Sequence, residues 1–138
     1  MRIVSLVPSA TEIVFALGLA EELVGRTAEC DFPPDATEVP IVTRPRIAPA
    51  ASHSRDIDDL VAAALGGGQS IYELDLEALA HAEPDLVLTQ RLCSVCAVSH
   101  DEVVDALQRI GLRATVASLD PETVRALTGG CSWPLGRR

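Results

Sequence analysis

The strongest constraint on the fold lies in residues 1–18, MRIVSLVPSATEIVFALG. Residues 3–7 form a short apolar, largely β-branched run, which reads as a strand. Pro8 breaks the run, and Ser9-Ala10-Thr11-Glu12 has the S-x-x-E spacing of a capping box. Residues 13–17 continue as a buried helix, and Gly18 ends it. A strand that passes through a tight loop into a helix points the helix N-terminus at the carboxyl edge of a sheet. Open α/β folds bind ligands at that edge, where main-chain N–H groups and the helix dipole converge.

The same alternation recurs downstream. Residues 22–27 predict a second strand, followed by the loop Ala28-Glu29-Cys30-Asp31-Phe32-Pro33-Pro34. Residues 39–43 predict a third, with Pro40 near its start and Arg44-Pro45-Arg46 after it. Ile57, Leu60, Val61, Ala64 and Leu65 have amphipathic spacing, which predicts a helix over 56–65 stopped by Gly66-Gly67-Gly68. Asp75 caps a helix over 76–82, and residues 86–89 form a short buried strand. Ser99-His100-Asp101-Glu102 is a second capping box, opening a helix that runs to Ile110 and ends at Gly111. Residues 114–119 predict a fifth strand, and Asp120-Pro121 starts another helix. Strands that are continuously apolar and alternate with helices predict a parallel sheet covered on both faces. The expected architecture is α/β: a three-layer αβα domain with a mostly parallel sheet of about five strands.

Composition narrows the function. The chain has 138 residues, 48% hydrophobic and only 3% aromatic, enough for one domain with an aliphatic core. The net charge of -9 disfavours a nucleic-acid surface, because phosphate contact needs clustered cations. All 11 basic residues are Arg, so lysine chemistry is excluded. No apolar run approaches the length of a membrane-spanning helix. Four cysteines are too few for a disulfide scaffold at this length. Read as it stands, the chain shows no secretory leader, which predicts a cytoplasmic protein with reduced thiols. A leader ahead of Met1 would instead place it in the periplasm or at the cell surface.

Cys93-Ser94-Val95-Cys96 is a C-x-x-C, and three readings compete. A redox dithiol would need a thiolate at a helix N-terminus; Cys96 does sit three residues before the cap Ser99, but thioredoxin-like sites begin their helix at the first Cys, and this one does not. A metal site needs further ligands, and Cys30 is the natural third, because its loop also follows a strand. The third reading is a loop of small buried residues. His53, His81 and His100 share no ligand spacing, and no nucleophile–His–acid set is visible. Arg44, Arg46 and Arg91 each follow a predicted strand end, where guanidinium groups could hold a carboxylate or phosphate. Solvated loop charge is the alternative.

SLVPSATEIVFALGL, VGRTAECDFP and PDLVLTQ, in that order, resemble the class III periplasmic binding proteins. These are the cobalamin and ferric-siderophore receptors of ABC importers. Ser54-Arg55-Asp56-Ile57-Asp58, Gly68-Gln69-Ser70-Ile71-Tyr72-Glu73-Leu74-Asp75 and LCSVCAVS are similar to a cobalamin-binding-protein-like branch. The resemblance implies two α/β lobes joined by a long helix, with ligand held between them. Residues 1–128 match the N-terminal lobe; residues 129–138 are an irregular tail that reads like a truncation or frameshift. Carried over by position, the ligand-binding residues would be Pro8, Ser9, Ala10, Thr11, Asp31, Thr43, Arg44, Gln90 and Arg91. Cys30, Cys93 and Cys96 would be the candidate metal ligands. The implied function is a non-enzymatic solute-binding lobe for cobalamin or a ferric-siderophore-type metal chelate, with an ABC permease as partner. An uncovered cleft face would also favour self-association. A thiol- or metal-handling protein built on the cysteines is the rival, and a truncated fragment that only keeps the fold is a third reading.

Overall fold

The computed structural model describes residues 1–46, 70–91 and 97–120. The sequence-predicted helix over 56–65 with its glycine stop, Cys93 and Cys96, the helix from 121 and the tail 129–138 lie outside the described residues.

Ile3, Val4 and Ser5 form β1 (Ile3–Ser5), and all three are buried. Their side chains alternate between two cores, so the strand is apolar on both faces. Val4 joins Leu6, Val42, Leu79, Val87 and Val103 in the larger cluster. Ile3 joins Val14 and Leu23 in the other. Helix α1 (Pro8–Ala16) supplies Val14 to the second cluster. Helices α2 (Leu76–Ala82) and α3 (His100–Ile110) supply Leu79, Ala82, Val103, Ala106 and Leu107 to the first. The sheet between them is β2 (Leu23–Arg26), β1, β5 (Leu86–Thr89) and β6 (Thr115–Ser118), in that spatial order. All three pairings are parallel, with Ile3 opposite Leu86 and Leu86 opposite Thr115. The three-layer αβα expectation is met.

Three local expectations are corrected. Among the described residues the sheet has four strands, against about five expected. Residues 39–43 contribute only a single parallel bridge, Ile41 to Arg26. Pro40 has no N–H for a ladder; its carbonyl accepts from the Arg26 N–H at 2.9 Å. The chain instead enters β3 (Thr43–Pro45), which pairs antiparallel with β4 (Tyr72–Leu74) as a separate ribbon. The third correction concerns the start of α1. The helix begins at Pro8, with Val7 as an N-cap that makes no side-chain cap bond. Proline at the first helical position needs no N–H partner and already has helical φ, so Ser9 lies inside the first turn.

The remaining ends follow the sequence. Gly18 has φ +72, and the Leu19 and Gly18 N–H groups bond back to Val14 and Phe15, the pattern of a Schellman motif. Ser99 and Glu102 form the full reciprocal capping box, and Gly111 closes α3 with φ +73. Asp75 accepts from the Glu77 and Ala78 N–H groups at 3.1 and 3.2 Å. Gly25 reflects close approach: a Cβ there would meet Val42 Cγ1 at 2.7 Å.

Candidate functional site

Parallel strands bring their C-terminal ends to one edge. Helix α1 begins three residues after β1 ends, and the loop with Cys30 and Asp31 follows β2. Gln90 and Arg91 follow β5 directly. The carboxyl edge therefore gathers three of the loops that the sequence singled out, those carrying Pro8 to Thr11, Cys30 and Asp31, and Gln90 and Arg91.

Buried hydroxyls fasten those loops. Thr11 Oγ1 lies 2.9 Å from both Ser5 Oγ and Cys30 Sγ. Ser5 Oγ donates to the Val7 carbonyl at 3.0 Å. Thr27 Oγ1 and Thr43 Oγ1 are 2.9 Å apart, and Thr89 Oγ1 donates to the Val98 carbonyl at 2.6 Å. All of these hydroxyl residues are buried. A buried polar group left unpaired is costly, so each satisfied pair strongly favours one loop position.

The predicted site residues therefore fall into different roles. Ala10, Thr11 and Thr43 are buried supports, whereas Pro8, Ser9, Asp31 and Arg91 are exposed. Gln90 is half-buried. Arg91 donates its main-chain N–H to the Asp120 carboxylate. Arg44 sits apart, on the β3–β4 ribbon, where its guanidinium pairs with Asp75 through Nε at 2.8 Å and through Nη2. Arg46 donates to Glu102 at 3.1 Å and to the Tyr72 carbonyl at 3.2 Å. Both arginines thus rest on carboxylates that cap helices.

Cys30 is fully buried. Burial pushes its thiol up, against the opposing hydrogen bonds from Thr11 and the Thr27 backbone. A protonated, enclosed thiol is neither an activated nucleophile nor a ready metal ligand in this conformation. Cys93 and Cys96 lie outside the described residues. Among the described residues, no three His, Cys, Asp or Glu side chains are placed to hold a metal.

Against this edge lies an open groove of about 560 Å³, lined by Ser9, Glu12, Ile13, Phe15, Ala16, Phe32 and Pro33. It runs along α1 beneath the loop that follows β2. Phe32 is 60% exposed, which is unusual for so large an apolar side chain.

Sequence reasoning missed Arg26, which lies at the end of β2 yet is buried. The signal was present: a guanidinium in the apolar run Leu23-Val24-Gly25-Arg26, just before a loop.

No protein-family model matches the chain, and no curated protein matches it. Solved structures do. The chain is similar to the periplasmic vitamin B12 binding protein BtuF of Vibrio cholerae, at 24% identity and a TM-score of 0.52. That match covers 88% of this chain and 34% of the other. It is also similar to the periplasmic heme-binding protein RhuT from Roseiflexus sp. RS-1, in its apo form. There the identity is 20% and the TM-score 0.54, over 95% of this chain and 41% of that one.

The chain has the fold of the class III periplasmic binding proteins. It spans about a third to two-fifths of the length of those two structures. A third similar structure is the siderophore periplasmic binding protein from the fuscachelin gene cluster of Thermobifida fusca. It is 26% identical with a TM-score of 0.47, over 95% of this chain and 40% of that one. Within that fold, the described residues include the four-stranded parallel sheet and the loops at its carboxyl edge.

Proposed function

We propose that this chain is a solute-binding lobe of an ABC-importer substrate-binding protein. Its cargo would be cobalamin or a ferric-siderophore-type metal chelate, and its partner an ABC permease. One observation carries the reading: the loops at the carboxyl edge are held in place by buried hydroxyl pairs beside an open apolar groove, on a binding-protein fold. Rigid loops with an apolar wall and a few polar groups recognise a ligand by shape and need no covalent step. Burial of Cys30 raises its thiol pKa and so keeps it from acting as a thiolate, which favours the binding reading over chemistry at that thiol.

Binding sites bury about 70–90% of a ligand's surface. A chain that spans about a third of a receptor's length supplies only part of that contact. Every 1.4 kcal/mol lost weakens binding about tenfold. The test is a titration with hydroxocobalamin, haemin and a ferric hydroxamate, followed by visible absorption. Saturable binding of one of them is expected, with a Kd of about 1 μM or weaker. No spectral change with any of the three up to about 1 mM, where binding would be worth only about 4 kcal/mol, would overturn the proposal.

A further inference from the structure

Arg26 is 7% exposed, yet no carboxylate among the described residues pairs with it. Its guanidinium is met by main-chain carbonyls instead. Nε donates to Val39 at 3.0 Å, Nη1 to Thr27 at 3.1 Å and Ala28 at 3.3 Å, and Nη2 to Thr37 at 3.1 Å. Its own main chain adds two more bonds, N–H to the Pro40 carbonyl and carbonyl from the Val42 N–H.

These partners come from both ends of one excursion of the chain. Residues 27 and 28 leave the sheet, and residues 37 to 42 return to it. Between them lie Cys30, Asp31, Phe32 and Pro33. The excursion also carries exposed Glu29, Asp31, Asp35 and Glu38, and no basic residue. Repulsion among the four carboxylates does not help close the excursion, so its closure falls to the hydrogen bonds that Arg26 makes to both ends. A guanidinium remains charged across the whole working pH range and presents five donors in a fixed fork. A lysine ammonium carries three donors on one nitrogen, without the span of the planar fork that reaches four carbonyls from three nitrogens here.

We infer that Arg26 is the positioning residue of the carboxyl-edge site. It clamps the two ends of the excursion together, and so fixes Cys30 under Thr11 and Phe32 along the groove. The clamp itself stands on the hydrogen bonds above; its bearing on ligand rests on the binding-lobe reading.

Cys30 reports on the clamp. Iodoacetamide labelling with peptide mapping counts it apart from Cys93, Cys96 and Cys131. In Arg26→Met and Arg26→Lys, Cys30 is expected to label at least about tenfold faster than in the parent, at a rate that low urea does not change, as local opening requires. Val87→Ala, a cavity in the larger core that touches none of the Arg26 side-chain bonds, should instead give a rate that climbs with urea, because global unfolding exposes the thiol. Parent-like protection of Cys30 in Arg26→Lys would overturn the inference.

A measurement on the unaltered protein covers the case in which neither variant folds. The Arg26 Nε–H, bonded to Val39, should give a slowly exchanging side-chain resonance at neutral pH. Exchange as fast as that of an arginine side chain free in water would also overturn it. Hydroxocobalamin and haemin titrations of the same variants separate the two claims. If the parent binds neither while the labelling pattern holds, the clamp stands without the binding reading. If the parent binds, Arg26→Lys should bind at least about tenfold more weakly, a loss of about 1.4 kcal/mol.

Discussion

Asp75 shows how much one side chain can hold together. Its Oδ1 caps α2, and its Oδ2 accepts from Arg44. The Ala78 N–H contributes most to holding its carboxyl below the ordinary value of 3.8, and the bonds from Arg44 and the Glu77 N–H add to it. A depressed folded pKa means that the carboxylate stabilises the fold above the unfolded value of about 3.9 and ceases to as pH falls through the folded one. Asp75→Ala should therefore cost about 1 kcal/mol at neutral pH by urea unfolding. The gap from the parent should narrow as the pH is lowered from about 5 toward 2. A gap that stays constant over that window would show that the cap does not depend on charge. Arg44→Ala should cost less than about 1 kcal/mol, since that side chain is 62% exposed. The cap was legible in the sequence because a cap is local. Arg44's partner was not, because it lies 31 residues away on another element. The burial of Thr11, Thr43 and Cys30 was hidden for the same reason: position after a strand predicts the edge a residue reaches, not the direction of its side chain.

At the scale of elements, two identical motifs met different fates. Ser9-x-x-Glu12 and Ser99-x-x-Glu102 share the capping-box spacing. Only the second forms the box, with Ser99 Oγ 3.3 Å from the Glu102 N–H and the Ser99 N–H donating to Glu102 at 3.0 Å. Pro8 decides the difference, because it starts α1 one residue ahead of Ser9. Ser99→Ala is expected to cost about 1 kcal/mol. Ser9→Ala should stay within about 0.5 kcal/mol of the parent, as an exposed substitution that removes no cap. Urea midpoints of the two variants check this, and equal losses would contradict the assignment of α1's start. The strands divide similarly. The core strands were legible because their apolar runs match burial on both faces. The β3–β4 ribbon was not, because each strand is three residues long, β3 includes Pro45, and their pairing joins residues 43–45 to residues 72–74.

For the whole molecule, the controlling fact is the sequence separation of neighbours in the sheet. β1 lies between β2 and β5. The Arg2 N–H donates to Asp85 Oδ2, and its Nε donates to the Ala82 carbonyl, both at 2.8 Å. The Asp85 and Leu86 N–H groups in turn donate to the Arg2 carbonyl. The N-terminal strand is thus completed by chain more than 80 residues away. Such non-local pairing cannot form until a long loop has closed, and β1 with β2 alone is a two-stranded unit of marginal stability. A chain ending at residue 81 keeps β1, α1 and β2 but loses β5, β6 and α3. It also strips the larger core of Val87, Val103, Ala106 and Leu107. Circular dichroism of that fragment should show no cooperative thermal transition, whereas the full chain should unfold in one. Adding back residues 82–138 as a separate peptide should restore a transition only if β5 inserts beside β1. A cooperative transition in the fragment alone would mean that the β1–α1–β2 unit folds autonomously, and that the order β2-β1-β5-β6 is built outward from it rather than closed by β5.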